Sequence, residues 1–296
     1  MTSLGGVMPA LITPLTGAGG VDRAGLDRLL DHVLSAPVAG LSPCGSTGEG
    51  PLLGRAVRMD TVRAAAAHLG PGQWLVPGVA AVNAGAAIEE IDAYAEAGAS
   101  AVLVAPPWYY PVDSGEVVDF FSAVADRAAL PVVLYNIPAM TKVVIPVDAV
   151  SQLAAHAKVI GIKDSSRDFE YFQAVVAATA AADFAVLTGT DTMLVASLQA
   201  GGAGTIAASV NVVPSLVQDL YELTRAGRLD QARPLQQRVT DVVSAARRAG
   251  FPRGWKAAVE ALGLCDRTTA HPLRPLDDAG AKRLGDELRR LGVIEP

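Results

Sequence analysis

Short apolar runs alternate with longer stretches of helical period through the first three quarters of the chain. Eight such runs occur, at Val7–Ile12, Val38–Pro43, Trp74–Val79, Ala101–Ala105, Val132–Asn136, Val159–Lys163, Ala185–Gly189 and Gly204–Ala207. Each is followed by a stretch rich in Ala, Leu and Val with polar residues at helical spacing: Asp22–Ser35, Arg55–Leu69, Ala84–Ala97, Ser114–Ala128, Pro146–Ala157, Asp168–Ala181, Thr192–Ala200 and Val212–Arg225. A continuous apolar run reads as a strand buried on both faces, and a strand that returns through a helix pairs in parallel with its predecessor. Eight units predict an α/β fold, a closed (β/α)₈ TIM barrel over residues 1–227. An open doubly wound sheet would need a glycine fingerprint at its first crossover. Gly17, Gly19 and Gly20 follow Thr13-Pro14 without that spacing or strand context. From Leu229 onward the strand signal ends and the pattern turns helical, with breaks at Gly250-Phe251-Pro252 and His271-Pro272, which predicts a C-terminal helical domain over residues 228–296.

Composition narrows the classes of function. With 51% hydrophobic residues, 296 positions suffice for one large buried core. The net charge of −6 and the lack of a basic run with interleaved aromatics argue against nucleic acid. No stretch has the apolar length needed to span a bilayer, so no membrane partner is expected. Cys44 and Cys265 are too few and too far apart for a disulfide framework, which points to a reducing, cytoplasmic setting. His32, His68, His156 and His271 show no ligand spacing, so no metal is expected.

In a barrel of this kind chemistry gathers at the carboxyl ends of the strands, and several of these ends are unusual. The run Val159-Ile160-Gly161-Ile162 ends in Lys163. An amine held against apolar walls is more readily uncharged and able to attack a carbonyl; the commoner alternative is a solvated lysine that snorkels over the sheet edge. After the second run, Gly45-Ser46-Thr47-Gly48-Glu49-Gly50 gathers backbone amides and two hydroxyls into a site suited to a carboxylate, or else forms a plain glycine-rich turn with helix-capping hydroxyls. Tyr135, ahead of Asn136-Ile137-Pro138, is placed either to shuttle a proton at the barrel mouth or to close the core with its hydroxyl in water. The cluster Pro106-Pro107-Trp108-Tyr109-Tyr110-Pro111 fits a pocket wall, core packing or a subunit contact. Asp191, after Gly189-Thr190, fits either a ligand for substrate hydroxyls or a helix cap, and Ala207–Asn211 completes the mouth. Cys44 beside the glycine loop has no histidine near it in sequence and reads as a small buried thiol rather than a nucleophile.

Taken together, Gly45-Ser46-Thr47-Gly48-Glu49, Pro107-Trp108-Tyr109-Tyr110-Pro111, Tyr135-Asn136-Ile137-Pro138 and Gly161-Ile162-Lys163-Asp164 resemble the dihydrodipicolinate synthase/N-acetylneuraminate lyase family of class I, Schiff-base-forming barrel enzymes. The resemblance spans essentially the whole chain, tail included, with the motifs in the family's order and Tyr135 and Lys163 spaced by 28 residues. It implies that Lys163 condenses with the ketone of pyruvate or a related 2-oxo acid and that Tyr135 relays protons. It further implies that Ser46, Thr47 and Gly48 hold the carboxylate and that Gly189, Asp191 and Ile206 bind substrate. By the same resemblance Tyr109 crosses a dimer interface to meet Thr47 and Tyr135, the assembly is a homotetramer built as a dimer of dimers, and no cofactor is needed beyond the covalent imine.

Two departures bear on the substrate. In the dihydrodipicolinate synthases the tyrosine motif runs into an arginine that binds the carboxylate of aspartate semialdehyde; here that place is held by Met140. Lys142 lies two residues on, but a point charge does not replace a bidentate fork. The sialic-acid lyases carry an acidic residue after the aspartate of the Gly-Thr-Asp motif, where this chain has Thr192. The expectation is a pyruvate-type aldolase or lyase acting on a 2-oxo-3-deoxy sugar acid, with an aldehyde as second reactant. The alternatives are 4-hydroxy-tetrahydrodipicolinate synthase, a sugar-acid dehydratase using the same imine, and a protein that only binds a 2-oxo acid.

Overall fold

The structure, a computed structural model, describes residues 3–294. It is a parallel barrel ringed by helices, with three further helices after it. In chain order the elements are β1 (Gly6–Pro9), α1 (Arg23–Leu34), β2 (Gly40–Leu41), α2 (Arg55–His68), β3 (Trp74–Leu75), β4 (Gly78–Val79), α3 (Ala84–Glu96), β5 (Val102–Val104), α4 (Ser114–Arg127), β6 (Val132–Asn136) and α5 (Pro138–Thr141). They continue with α6 (Val147–Leu153), β7 (Val159–Asp164), α7 (Phe169–Ala178), β8 (Ala185–Thr188), α8 (Leu194–Gln199), β9 (Gly204–Ala207), α9 (Pro214–Arg225), α10 (Leu229–Arg248), α11 (Arg253–Ala261) and α12 (Asp278–Arg290).

All strand pairs are parallel, seven strands following the order β1-β9-β8-β7-β6-β5-β4 and two forming β2-β3. Backbone bonds join the two sets. Ala39 N donates to Val7 O at 2.8 Å and Ser42 N to Pro9 O at 3.0 Å on one side of β2, while Val76 N donates to Leu41 O at 2.9 Å on the other. The run Trp74–Val79, expected as one strand, appears as β3 and β4. Pro77 between them has no N–H to donate, yet its carbonyl accepts from Leu103 N at 2.9 Å, so the two pieces serve as a single stave. Counted this way, eight staves close the barrel.

Side chains alternate across each strand with period two. Leu103, Val133, Tyr135, Leu187 and Ile206 belong to the cluster that fills the barrel, whereas Val102, Val104, Val132, Leu134, Ile162 and Val186 pack outward against the helices. Burial of each such aliphatic group contributes about 1.5–3 kcal/mol. The helices begin where their sequence provides an acceptor. Asp22, Asn83, Asp113, Asp168 and Asp277 each take a backbone N–H of the following turn, and Asp113 completes a capping box with Glu116. Val239, Val243, Trp255, Leu284 and Leu288 of α10–α12 share the outer core with the barrel helices. Among the described residues no helix is long and apolar enough to cross a membrane.

Candidate active site

Lys163 and Tyr135 are register partners on the adjacent strands β7 and β6, so both side chains enter the barrel at the same height. Lys163 is only 4% exposed. Its Nζ donates to the Tyr135 hydroxyl at 3.4 Å and lies 4.4 Å from the centre of the tyrosine ring. The Tyr135 hydroxyl in turn lies 3.4 Å from Ser46 Oγ, giving a line of amine, phenol and hydroxyl. No carboxylate lies within salt-bridge distance of Lys163 among the described residues, in contrast to Lys256 and Glu49.

The lysine arm has room because of a neighbour without a side chain. A Cβ at Gly189, at the end of β8, would stand 2.0 Å from Ser165 Oγ and 2.8 Å from Lys163 Cε. Asp164, next in sequence, is turned away and buried. Its Oδ1 accepts from Asn136 Nδ2 at 2.8 Å and from Ser166 N at 3.1 Å, while Ser166 Oγ donates to Oδ2 at 2.9 Å. Burial pushes its carboxyl above the usual range, and the bonds from Asn136 and Ser166 pull it back. Asn136 Oδ1 also accepts from Ile145 N at 3.0 Å, so this pair ties the ends of β6 and β7 together and fixes where Tyr135 and Lys163 stand.

The glycine loop is built as much by packing as by chemistry. A Cβ on Gly50 would fall 1.7 Å from Cys44 O, and one on Gly48 2.5 Å from Leu11 O, so both glycines let the loop lie directly on its neighbours. Cys44 and Glu49 hold positive φ of 59° and 60°. Burial pushes the Cys44 thiol up to about 12, as expected of an inert core thiol. Glu49 anchors the loop to the tail: its Oε1 pairs with Lys256 Nζ at 2.8 Å and its Oε2 accepts from Ala270 N at 2.7 Å. Burial pushes the Lys256 ammonium down and the Glu49 carboxylate pulls it back up.

Two cavities meet at this point. One, of about 330 Å³, is mainly apolar and is lined by Ser46, Val79, Leu103 and Trp108 among others. The other, of about 280 Å³, holds Thr47, Lys163, Gly189, Asp191, Ile206 and the cations Arg167 and Arg247. Tyr135, Ile137, Met140 and Phe251 line both. Lys163, Tyr135, Ser46, Thr47, Gly189, Asp191 and Ile206 are thus brought together. Gly48 supports the loop from behind, its carbonyl accepting from Thr13 Oγ1 at 2.8 Å. Asp191 does not cap a helix with its side chain; its Oδ1 accepts from Ser209 N at 2.8 Å, binding the ends of β8 and β9. Tyr109 stands apart, 74% exposed and edge-on to Tyr110, with no bond to Thr47 or Tyr135 of its own chain. Lys142 lines neither cavity and donates to Ala139 O at 2.9 Å, so it does not stand in for an arginine at Met140.

The family model described as the dihydrodipicolinate synthetase family matches residues 3–291. This chain belongs to that family. Its curated relatives include the 4-hydroxy-tetrahydrodipicolinate synthase of Methanosarcina barkeri, 32% identical over 290 residues that cover 98% of this chain and 99% of the relative. An uncharacterized DapA-like lyase of Halobacterium salinarum is 33% identical over 294 residues, covering 98% and 95%. Among solved structures, YagE of E. coli K12, a prophage protein of the dihydrodipicolinic acid synthase family in complex with pyruvate, superposes with a TM-score of 0.93 at 30% identity, covering 98% of this chain and 99% of its own. Membership of the dihydrodipicolinate synthetase family makes the protein a lyase built on a TIM barrel.

Three features of the site escape a reading of the sequence. Glu49 pairs with Lys256 across 207 positions, a distance at which no local pattern operates; its only trace is an acidic residue in an otherwise neutral loop. Arg247 lies in the last turn of α10, where a basic residue is ordinary. Arg167 has φ of 66°, at a turn position where glycine would raise no question.

Proposed function

We propose that this protein is a pyruvate-dependent class I aldolase that joins a 2-oxo acid to an aldehyde, and cleaves the product, through an imine on Lys163. The observation that carries this reading is the shielded Lys163 Nζ, 3.4 Å from the Tyr135 hydroxyl, which is itself 3.4 Å from Ser46 Oγ. The amine adds to C2 of pyruvate, and the carbinolamine loses water as its oxygen takes a proton through Tyr135. The resulting protonated imine is an electron sink: loss of a C3 proton gives an enamine, whose carbon attacks the aldehyde carbonyl as that oxygen takes up a proton. Water then hydrolyses the imine and releases a 4-hydroxy-2-oxo acid with the free amine. Ser46, Thr47 and the amides around Gly48 take the pyruvate carboxylate, Ile206 floors the cavity, and Gly189 and Asp191 face the second reactant. No cofactor or metal enters this sequence of steps.

A 2-oxo-3-deoxy sugar acid as the product cleaved is supported by Met140, which offers no anchor for aspartate semialdehyde at the place where the synthases have an arginine. The second reading, 4-hydroxy-tetrahydrodipicolinate synthase, is favoured by the names of the archaeal relatives. The exposed pair Tyr109 and Tyr110 supports a contact with a second copy, and through it a homotetramer in which Tyr109 reaches the neighbouring site; the two buried free thiols fit a cytoplasmic setting. Borohydride reduction in the presence of pyruvate tests the core of the reading: a stable mass added at Lys163 supports it, and an unmodified lysine under conditions of turnover refutes it. Condensation rates with aspartate semialdehyde and with hydroxyaldehydes decide between the two products.

A further inference from the structure

The helical tail grips the glycine loop by one side chain. Glu49 N donates to Ser46 O at 3.2 Å, which closes a tight turn over Ser46, Thr47, Gly48 and Glu49, and Gly50 N donates to Gly45 O at 3.0 Å around it. The turn carries both hydroxyls and the amides proposed for the 2-oxo acid, and Glu49 is its last residue. From that residue, set at φ of 60°, the side chain leaves the loop and enters the tail. Both of its oxygens are committed there. Oε1 faces Lys256 Nζ and, among the described residues, no other donor, while Oε2 accepts from Ala270 N at 2.7 Å. Lys256 Nζ is fixed in turn by donating to Thr268 O. Lys256 has no exposed surface and lines neither cavity, so it does not meet a reactant.

A buried ion pair is a poor source of stability, since an apolar pair of similar volume often serves as well or better. What the pair supplies and an apolar contact lacks is a fixed distance and direction between two parts of the chain. Here the part it fixes is the turn that presents hydroxyls and amides to the carboxylate of the first reactant. We propose that Lys256 is a positioning residue: through Glu49 it sets the turn at residues 46–49 for that carboxylate, so the tail takes part in 2-oxo acid binding without touching the acid. The role rests on the aldolase reading of Lys163 and goes beyond it by making the carboxylate site a joint product of barrel and tail. The same turn also carries Ser46, and so sets the 3.4 Å between Ser46 Oγ and the Tyr135 hydroxyl.

The test compares a ketone that has the carboxylate with one that lacks it. Borohydride trapping on Lys163 is followed by mass spectrometry with pyruvate and with acetone, in the full-length parent and in Glu49→Leu combined with Lys256→Met, which leaves no charge unpaired. The urea midpoint of the double variant is expected near that of the parent. Its half-saturating pyruvate concentration is expected to rise about tenfold or more, the scale of one charge-assisted hydrogen bond, while the rate of trapping with acetone holds. A purely structural pair would leave both unmoved or lower both alike. An unchanged half-saturating concentration, or an equal loss with the two ketones, therefore overturns the positioning role. Glu49→Asp keeps the charge and shortens the arm by a methylene, and it decides the matter where the double variant fails to fold. Its half-saturating pyruvate concentration is expected to rise in the same direction, and no rise overturns the role. An adduct in the parent with no shift in the variants overturns positioning alone; no adduct in the parent overturns the aldolase reading with it.

Discussion

Two lysines of this chain are almost fully enclosed, and their surroundings differ in one respect. Lys256, with no exposed surface, faces the Glu49 carboxylate at 2.8 Å where the tail meets the glycine loop. Lys163, 4% exposed, faces a phenol and an aromatic ring instead. A buried ammonium paired with a carboxylate fastens two parts of the chain together. A buried amine without a carboxylate partner has no ion pair to break before it meets a ketone. Enclosure by itself therefore does not distinguish the proposed nucleophile from the fastener; the counter-ion does.

The sharpest way to break this comparison is to delete the one amine and the counter-ion of the other. Lys163→Ala is expected to abolish both turnover and the borohydride-trapped pyruvate adduct, read by mass spectrometry, with little change in the urea midpoint. Glu49→Gln is expected to leave Lys256 uncompensated and lower the unfolding free energy by about 3–5 kcal/mol, measured by urea titration. Replacing the pair together by Leu and Met should recover most of that loss, because neither charge then needs a partner. If Glu49→Gln unfolds at the same urea concentration as the parent, the pair is not a fastener.

A smaller effect is expected at the phenol. Tyr135→Phe retains the ring beside Lys163 and loses the proton relay, so kcat should fall by about a hundredfold while pyruvate still forms an adduct on Lys163. Turnover at the parent rate would remove Tyr135 from the chemistry. The smallest concerns Asp164, whose carboxyl burial raises. Since the folded protein then binds the proton more tightly than the unfolded chain, stability is greatest below the unfolded-state value of 3.8 and declines as pH climbs through the raised folded-state value. Asp164→Asn should flatten that part of the stability profile, as read from urea midpoints between pH 3 and 7.

Much of this architecture is legible before any coordinates, and the reasons are local. A strand buried on both faces must be apolar throughout, so Val132–Asn136 and Gly204–Ala207 emerge with the bounds their sequence predicts. An ionisable residue at the end of such a strand, as Lys163 is, is visible for the same reason. Where hydrogen-bond geometry decides, sequence patterns fail. Pro77 divides one apolar run into β3 and β4, and only Gly40 and Leu41 of Val38–Pro43 pair as strand. The line from Lys163 through Tyr135 to Ser46 matches residues chosen from sequence, but the partners differ: Ser46 meets the phenol, whereas Thr47 lines the polar cavity. Arg247 escapes such a reading because its place on the polar cavity depends on how α10 packs against the barrel, which no periodicity encodes.

The bare α-carbon of residue 189 carries a lesson for anyone reading variants of this protein. A single methyl there would crowd Ser165 Oγ and the aliphatic arm of Lys163 from the next strand without removing any reacting group. Activity can vanish with the whole catalytic inventory intact, through loss of vacant volume rather than loss of chemistry. A search confined to missing functional groups would pass over such a change.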